Sequence, residues 1–274
     1  MDDGKLRLGG MALHNGLLVH GPAHWAAAVR RSDGEVRVAS GRKPRLALGP
    51  GARVPGMRGV LRLAEAIAVI PLVKRALPEA EMPMQDPATL GAVVAATASS
   101  RVLRGSGART VPREAGVALL SLAPALLALR GGDLASYHGV EHKAIAAYEQ
   151  DAGDARDPAK EHDRCGSHLL APMLASNVAG TVLLKRVLAG RRSPGARSNP
   201  GPLAGGAVAL ASTAVAVEVF GWCERHAQTG LAKAIRRPGF EIQRVIGTRE
   251  PDERQLEVGR AALAEILRAE GVQA

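Results

Sequence analysis

Cys165-Gly-Ser-His-Leu-Leu-Ala-Pro-Met-Leu-Ala-Ser-Asn-Val-Ala-Gly-Thr-Val-Leu-Leu184 runs for 20 residues without a charged side chain. A helix needs about 20 apolar residues to cross the hydrocarbon core of a bilayer, so this run has the required length. Ser198 to Val217 is a second uncharged run of the same kind, followed at once by Glu218, Phe220 and Trp222. Two shorter apolar segments lie upstream: Ala88 to Ser100, and Ala115 to Leu129 between Glu114 and Arg130. To span, these need snorkelling arginines or a thin bilayer. Gly180, Gly205 and Gly206 suit close helix packing in a membrane, and equally in a soluble Ala-rich bundle, which is the competing reading.

The flanks read differently. Trp25 to Arg31 and Glu35 to Ala39 enclose Ser32-Asp33-Gly34, a hairpin turn signal. Gly41 to Pro55 is a basic connector containing Pro and Gly. Met57 to Ala76 predicts one amphipathic helix, with Leu61, Ala64, Ile67, Ala68 and Pro71 on one side and Arg58, Arg62 and Glu65 on the other. Asp252 to about Arg268 predicts another, with Leu256, Gly259, Leu263 and Ile266 on its apolar side and Asp252 as its cap. The expected fold is therefore mainly α: a helical membrane protein with about four spanning helices plus a small N-terminal β-hairpin unit. Its expected divisions are a β-containing unit at 1–55, a helical membrane domain at 56–230, and a C-terminal helical segment at 231–274.

The chemistry-bearing residues sit just before the uncharged run. Four of the eight histidines and one of the two cysteines fall between Tyr137 and His168. His138 and His142 are four apart, so on a helix both imidazoles share one face and can reach one ion. Glu141 between them is placed to ligate or to act as a general base, and His-x-x-Glu-His is the inverted zincin pattern. After an acidic linker come His162 and Cys165, three apart. A short loop folds this pair back on the first at small entropic cost. His138, His142, His162 and Cys165 are the expected metal ligands, suited to a divalent ion such as zinc or iron(II), with Glu141 left for catalysis. The competing reading is a polar helix face without metal. His168 reads as a satisfied core histidine, and His14, His20, His24 and His226 as structural or solvated.

Several stretches together resemble one family, the YqhQ-like bacterial membrane proteins, a domain family of unknown function described as predicted metal-dependent enzymes. The similar stretches are Tyr137 to Glu149, His162-Asp-Arg-Cys-Gly-Ser, Gly9-Gly10-Met-Ala, and Arg249-Glu-Pro-Asp followed by Gln255-Leu-Glu-Val. The resemblance implies an integral membrane protein, and it alone makes Glu250 and Glu257 candidate site residues. One departure is Asn15-Gly-Leu-Leu-Val-His20, where the family commonly has Glu-Gly-Val-Met-Met-Arg.

Composition narrows the partners. A formal charge of +10 first suggests nucleic acid, but aromatic residues make up only 2% and offer no stacking platform. The cations flank apolar segments, which fits a lipid bilayer as partner and a multi-pass place in the cell membrane. Two cysteines make no disulfide framework and suit a reducing compartment. Met1-Asp-Asp-Gly lacks the basic and apolar regions of a secretory signal, so none is expected. The basic loops Arg101–Arg113 and Lys185–Arg197 place themselves in the cytoplasm by the positive-inside rule, whereas the thiol and the missing signal favour a cytoplasmic site. No phosphate-binding loop or nucleophile elbow is present. Two functions remain: a metal-dependent enzyme, hydrolytic, with a small-molecule or peptide substrate not specified by the sequence; and a membrane scaffold or small-solute or ion transporter.

Overall fold

The computed structural model describes residues 5–45, 57–83, 85–105, 110–130, 132–190 and 202–272. Residues 46–55 of the expected connector, 106–109 and 191–197 of the two basic loops, and 198–201 of the last apolar run lie outside the described residues.

The N-terminal part forms a four-stranded antiparallel meander: β1 (Gly9–Leu13), β2 (Gly16–His20), β3 (His24–Arg30) and β4 (Val36–Arg42). The expected hairpin is its β3–β4 half, turning through Gly34 at φ 92°. The single hairpin is thus corrected to a full sheet. The two extra strands are only five residues long; β2 is buried at four of its five positions and β1 opens with two glycines, so neither shows the apolar–polar alternation that marks a half-buried strand. Leu17 and Val19 of β2 face a core shared with Tyr137, Val140, Val258 and Ile266. Leu18, Trp25 and Val29 point the other way, against Val69, Val73 and Leu77. The sheet is therefore the middle layer between two helical layers.

The expected helix over 57–76 is two helices, α1 (Met57–Ala68) and α2 (Ile70–Ala76). Pro71 has no N–H to return to residue 67, and the break falls just before it. Next come α3 (Pro87–Gly105), α4 (Val111–Leu120), α5 (Ala123–Arg130) and α6 (Asp133–Gln150). A tight 3-10 turn at Gly166–Leu169 leads into α7 (Leu170–Gly190), followed by α8 (Pro202–Arg225) and α9 (Gly230–Ile242). A π turn at Gln243–Gly247 precedes α10 (Glu253–Glu270). Asp252 caps α10 as expected: its carboxylate accepts from the Gln255 N–H, and the Gln255 side chain accepts from the Asp252 N–H.

Three helical stretches among the described residues are long and apolar enough to cross a membrane: Val111–Arg130, Gly166–Val187 and Leu203–Arg225. This corrects the expected four. The segment at 88–100 is helical within α3, but its two threonines and two serines, with Arg101 and Arg104 close by, leave it too polar. The first of the three stretches is α4 and α5 joined through a turn at Ser121 and Leu122, just ahead of Pro124. α7 and α8 pack side by side, with Ser176 Oγ donating to the Ser212 carbonyl at 3.3 Å.

Candidate metal centre

α6 supplies the first half of the site. Most of the helix is buried, because it packs on β1 and β2 of the sheet with α10 alongside it on the same face. Gly259 of α10 faces Val140 so closely that a Cβ there would overlap the valine side chain. Gly139 likewise lets the Arg249 carbonyl rest on the helix, and the Arg249 N–H donates to the Ala135 carbonyl at 2.9 Å. A glycine inside a helix lowers helical propensity, and here it provides that close approach.

With the chain pinned there, the Gly247 carbonyl accepts a hydrogen bond from His138 Nδ1 at 2.7 Å. The Lys160 carbonyl accepts one from His142 Nδ1 at 2.6 Å. A carbonyl can only accept, so both Nδ1 atoms carry the proton and both Nε2 atoms keep a free lone pair. The two ring centroids are 4.3 Å apart. Cys165 arrives from the turn before α7, with its Sγ 3.4 Å from His138 Nε2. One ligand atom each from His138, His142 and Cys165 lies within 4.8 Å of the other two. Two ligands on one tetrahedral zinc ion stand about 3.5 Å apart, given bonds of roughly 2.0–2.3 Å, so the three fit one ion after small adjustments.

Electrostatics treat the candidate ligands differently. Burial, with His138 adding to it, holds His142 down at about 2, so it stays neutral. Burial pushes the Cys165 thiol up to about 11, so an incoming cation would have to displace its proton. Glu141 is buried, and burial raises its carboxyl above the usual range against the pull of His138 and His162. Its Oε2 is 3.9 Å from His138 Nε2.

His162 is brought near but used otherwise. Its ring centroid is 5.6 Å from that of His142. Its Nδ1 accepts from the Arg164 N–H at 3.2 Å, and its Nε2 then donates to Glu149 at 3.2 Å. Glu149 also pairs with Arg164. Of the carboxylates singled out by resemblance, Glu250 pairs with Lys143 at 3.2 Å and Glu257 with Arg30 at 2.6 Å, both away from the cluster. His168 is a satisfied core histidine, with Nδ1 on the Arg236 carbonyl at 2.9 Å and Nε2 facing the Gln243 amide at 3.2 Å.

Other supporting residues escaped the sequence reading. Lys143 is buried and donates to the Arg156 and Pro158 carbonyls at 3.0 and 2.7 Å. It thereby folds down the loop that carries Lys160. Gln243 accepts from the His162 N–H at 2.8 Å and donates to Ser167 Oγ at 2.9 Å, fixing both ends of the segment that delivers Cys165. Gly10 of β1 lies against Glu141, where a Cβ would come within 2.7 Å of its Cγ. Of the supporting residues, only Gly10, Gly139 and Gly259 left a signal, as glycines within apparent regular structure.

His138, Glu141, His142 and Cys165 face a cavity of about 1570 Å³ that extends between α3, α4, α5, α7 and α8. No curated protein and no solved structure matches the chain. The family described as a protein of unknown function (DUF1385) matches residues 133–269, from the start of α6 to the end of α10, and so takes in the whole cluster. Half of the chain is covered in this way, and the protein belongs to the DUF1385 family.

Proposed function

We propose that this protein is an integral membrane metal-dependent hydrolase. In this reading His138, His142 and Cys165 hold a divalent ion, zinc or iron(II), and Glu141 is the general base. The observation that carries it is the convergence of two Nε2 lone pairs and one sulfur, with both imidazole tautomers set by backbone carbonyls. Mixed nitrogen and sulfur donors suit zinc or iron(II) better than magnesium or calcium. A bound ion would polarise a substrate oxygen and make water a better nucleophile at neutral pH. Three protein ligands beside a cavity match the catalytic rather than the closed structural arrangement.

Glu141 takes the proton from the attacking water. The water oxygen bonds to the electrophilic carbon or phosphorus, the bond to the leaving group breaks, and Glu141 returns the proton to the leaving group. A carboxyl raised by burial is a stronger proton acceptor than an ordinary one, which suits the first of these transfers. A wider ligand set that includes His162 is supported by its closeness to His142. It requires His162 to give up its bond to Glu149. Membrane integration is supported by the three apolar stretches. A cytoplasmic site is supported by Cys165 and Cys223 both being free thiols.

Purified protein should contain close to one equivalent of zinc or iron, and should hydrolyse members of ester, phosphoester or peptide pools. Glu141→Gln should keep the metal and lose the turnover. A scaffold or transporter would bind the ion and turn over nothing, which would end the hydrolase reading.

A further inference from the structure

The cavity beside the cluster has a shape and lining that narrow the substrate. We infer that it receives the apolar chain of a membrane amphiphile, so that the substrate is a lipid-like ester or phosphoester whose scissile group lies at the His138–Cys165 end. This rests on the hydrolytic reading above and deepens it. Water-soluble ligands of drug size occupy pockets of about 300–1,000 Å³. At about 1570 Å³ this cavity is larger than that, and it is elongated. Its wall on α7 passes Met173, Asn177 and Thr181, which recede from Cys165 along the helix. From the start of α7 at Leu170 to Thr181 the axial rise is roughly 16 Å. The facing wall carries small or apolar side chains, such as Ala96, Val117 and Ala125, together with Thr97, Ser100 and Ser121.

The metal-binding and acid–base groups, the histidines with Glu141 and Cys165, line one end, and Arg101 and Arg104 of α3 also border the cavity. The rest of the lining is mostly small or apolar, with Thr97, Ser121, Asn177 and Thr181 among it, which suits a molecule with one reactive head and one chain. The cavity walls include α4, α5, α7 and α8, which carry the three stretches able to cross a bilayer. In the membrane setting proposed above, a cavity between such helices lies at bilayer depth, where an amphiphile is concentrated and a polar metabolite is disfavoured.

The test uses the full-length protein in lipid nanodiscs with a phospholipid bearing a photoreactive diazirine on its acyl chain. After irradiation, labelled positions are mapped by mass spectrometry, and metal content is measured on the same samples. The expected result is labelling at cavity positions around Val117, Ala125 and Asn177, in addition to the outward-facing Leu119 and Leu183, which lipid labels in any case. Ala125→Trp fills the cavity and should reduce labelling of the cavity positions at least fivefold while leaving Leu119, Leu183 and the metal content unchanged. Ala209→Trp fills it from α8 and serves if the first variant does not fold. Labelling confined to outward positions, cavity labelling unaffected by either tryptophan, or cross-links between two copies through the cavity would each overturn the inference. Cavity labelling on a protein without metal would leave the chain site standing and remove the metal reading. Metal without cavity labelling would do the reverse.

Discussion

Cys165 Sγ lies 3.4 Å from His138 Nε2, although the two residues are 27 positions apart. His142 joins them from the next turn of α6, while His162, only three residues before Cys165, has its ring nitrogens on Glu149 and the Arg164 N–H. The candidate ligands of the proposed site thus divide unequally between the two sequence elements, and this can be measured. His138→Ala, His142→Ala and Cys165→Ser should each lower zinc occupancy, by about 100-fold or more in affinity for the histidines. His162→Ala should cost about tenfold or less, as expected of a residue acting through others. Elemental analysis and competition with a chelator on the four variants check this. Equal losses in His162→Ala and His142→Ala would establish the wider, four-ligand set.

Gly139 tests whether the backbone carbonyls matter. A Cβ there would overlap the Arg249 carbonyl and push the 247–249 segment off α6. The Gly247 carbonyl that orients His138 would go with it. Gly139→Ala touches no ligand, yet it should weaken metal binding by about 10–100-fold. The same titration with chelator reads this out, and unchanged affinity would mean that His138 is held by something else.

Lys143 makes a similar prediction for the other imidazole. Its ammonium satisfies two loop carbonyls, at Arg156 and Pro158. Lys143→Met keeps the bulk and removes the donors, leaving those carbonyls without that partner at a cost of about 1–3 kcal/mol. Thermal melting of the purified protein should show the loss. Metal affinity should fall with it, because Lys160 and its carbonyl ride on the same loop.

His20 supplies a pH signature away from the ligands. Burial, assisted by Lys43, lowers it from 6.5 to about 4, with the Gly21 backbone and Glu65 opposing. Because the folded value lies below the unfolded one, the unfolded chain binds the extra proton first. Stability should therefore be constant above about pH 6.5 and fall as pH drops from 6.5 toward 4, by roughly 3 kcal/mol in all. His20→Asn should flatten this part of the profile in a denaturant series at pH 4 to 8. An unchanged slope would show that other groups carry it.

Membrane integration is tested by extraction. With three apolar stretches of 20, 22 and 23 residues, the protein should stay in the membrane pellet through a high-pH carbonate wash and be released only by detergent. Release into the carbonate supernatant would make these helices the interior of a soluble or peripheral assembly. Protease accessibility of the 151–161 loop in sealed vesicles then reports the side on which the cluster lies.

What the sequence determined by itself was local. The i, i+4 spacing of His138 and His142 is a property of one helix, so their shared face could be read directly. The uncharged runs of α7 and α8, the hairpin turn near Gly34 and the Asp252 cap are local in the same way. Tertiary structure alone decided the rest. It chose Cys165 over His162 as the residue beside His138, because Lys143 and Gln243 shape the intervening loop through contacts made across the chain. It placed the sheet between two helical layers, where burial on both faces erases the alternation that would have announced β2. It also oriented both imidazoles through the carbonyls of Gly247 and Lys160. Every residue carries a backbone carbonyl, so no side chain marks the ones that do this work, and only the path of the folded chain brings them to the rings.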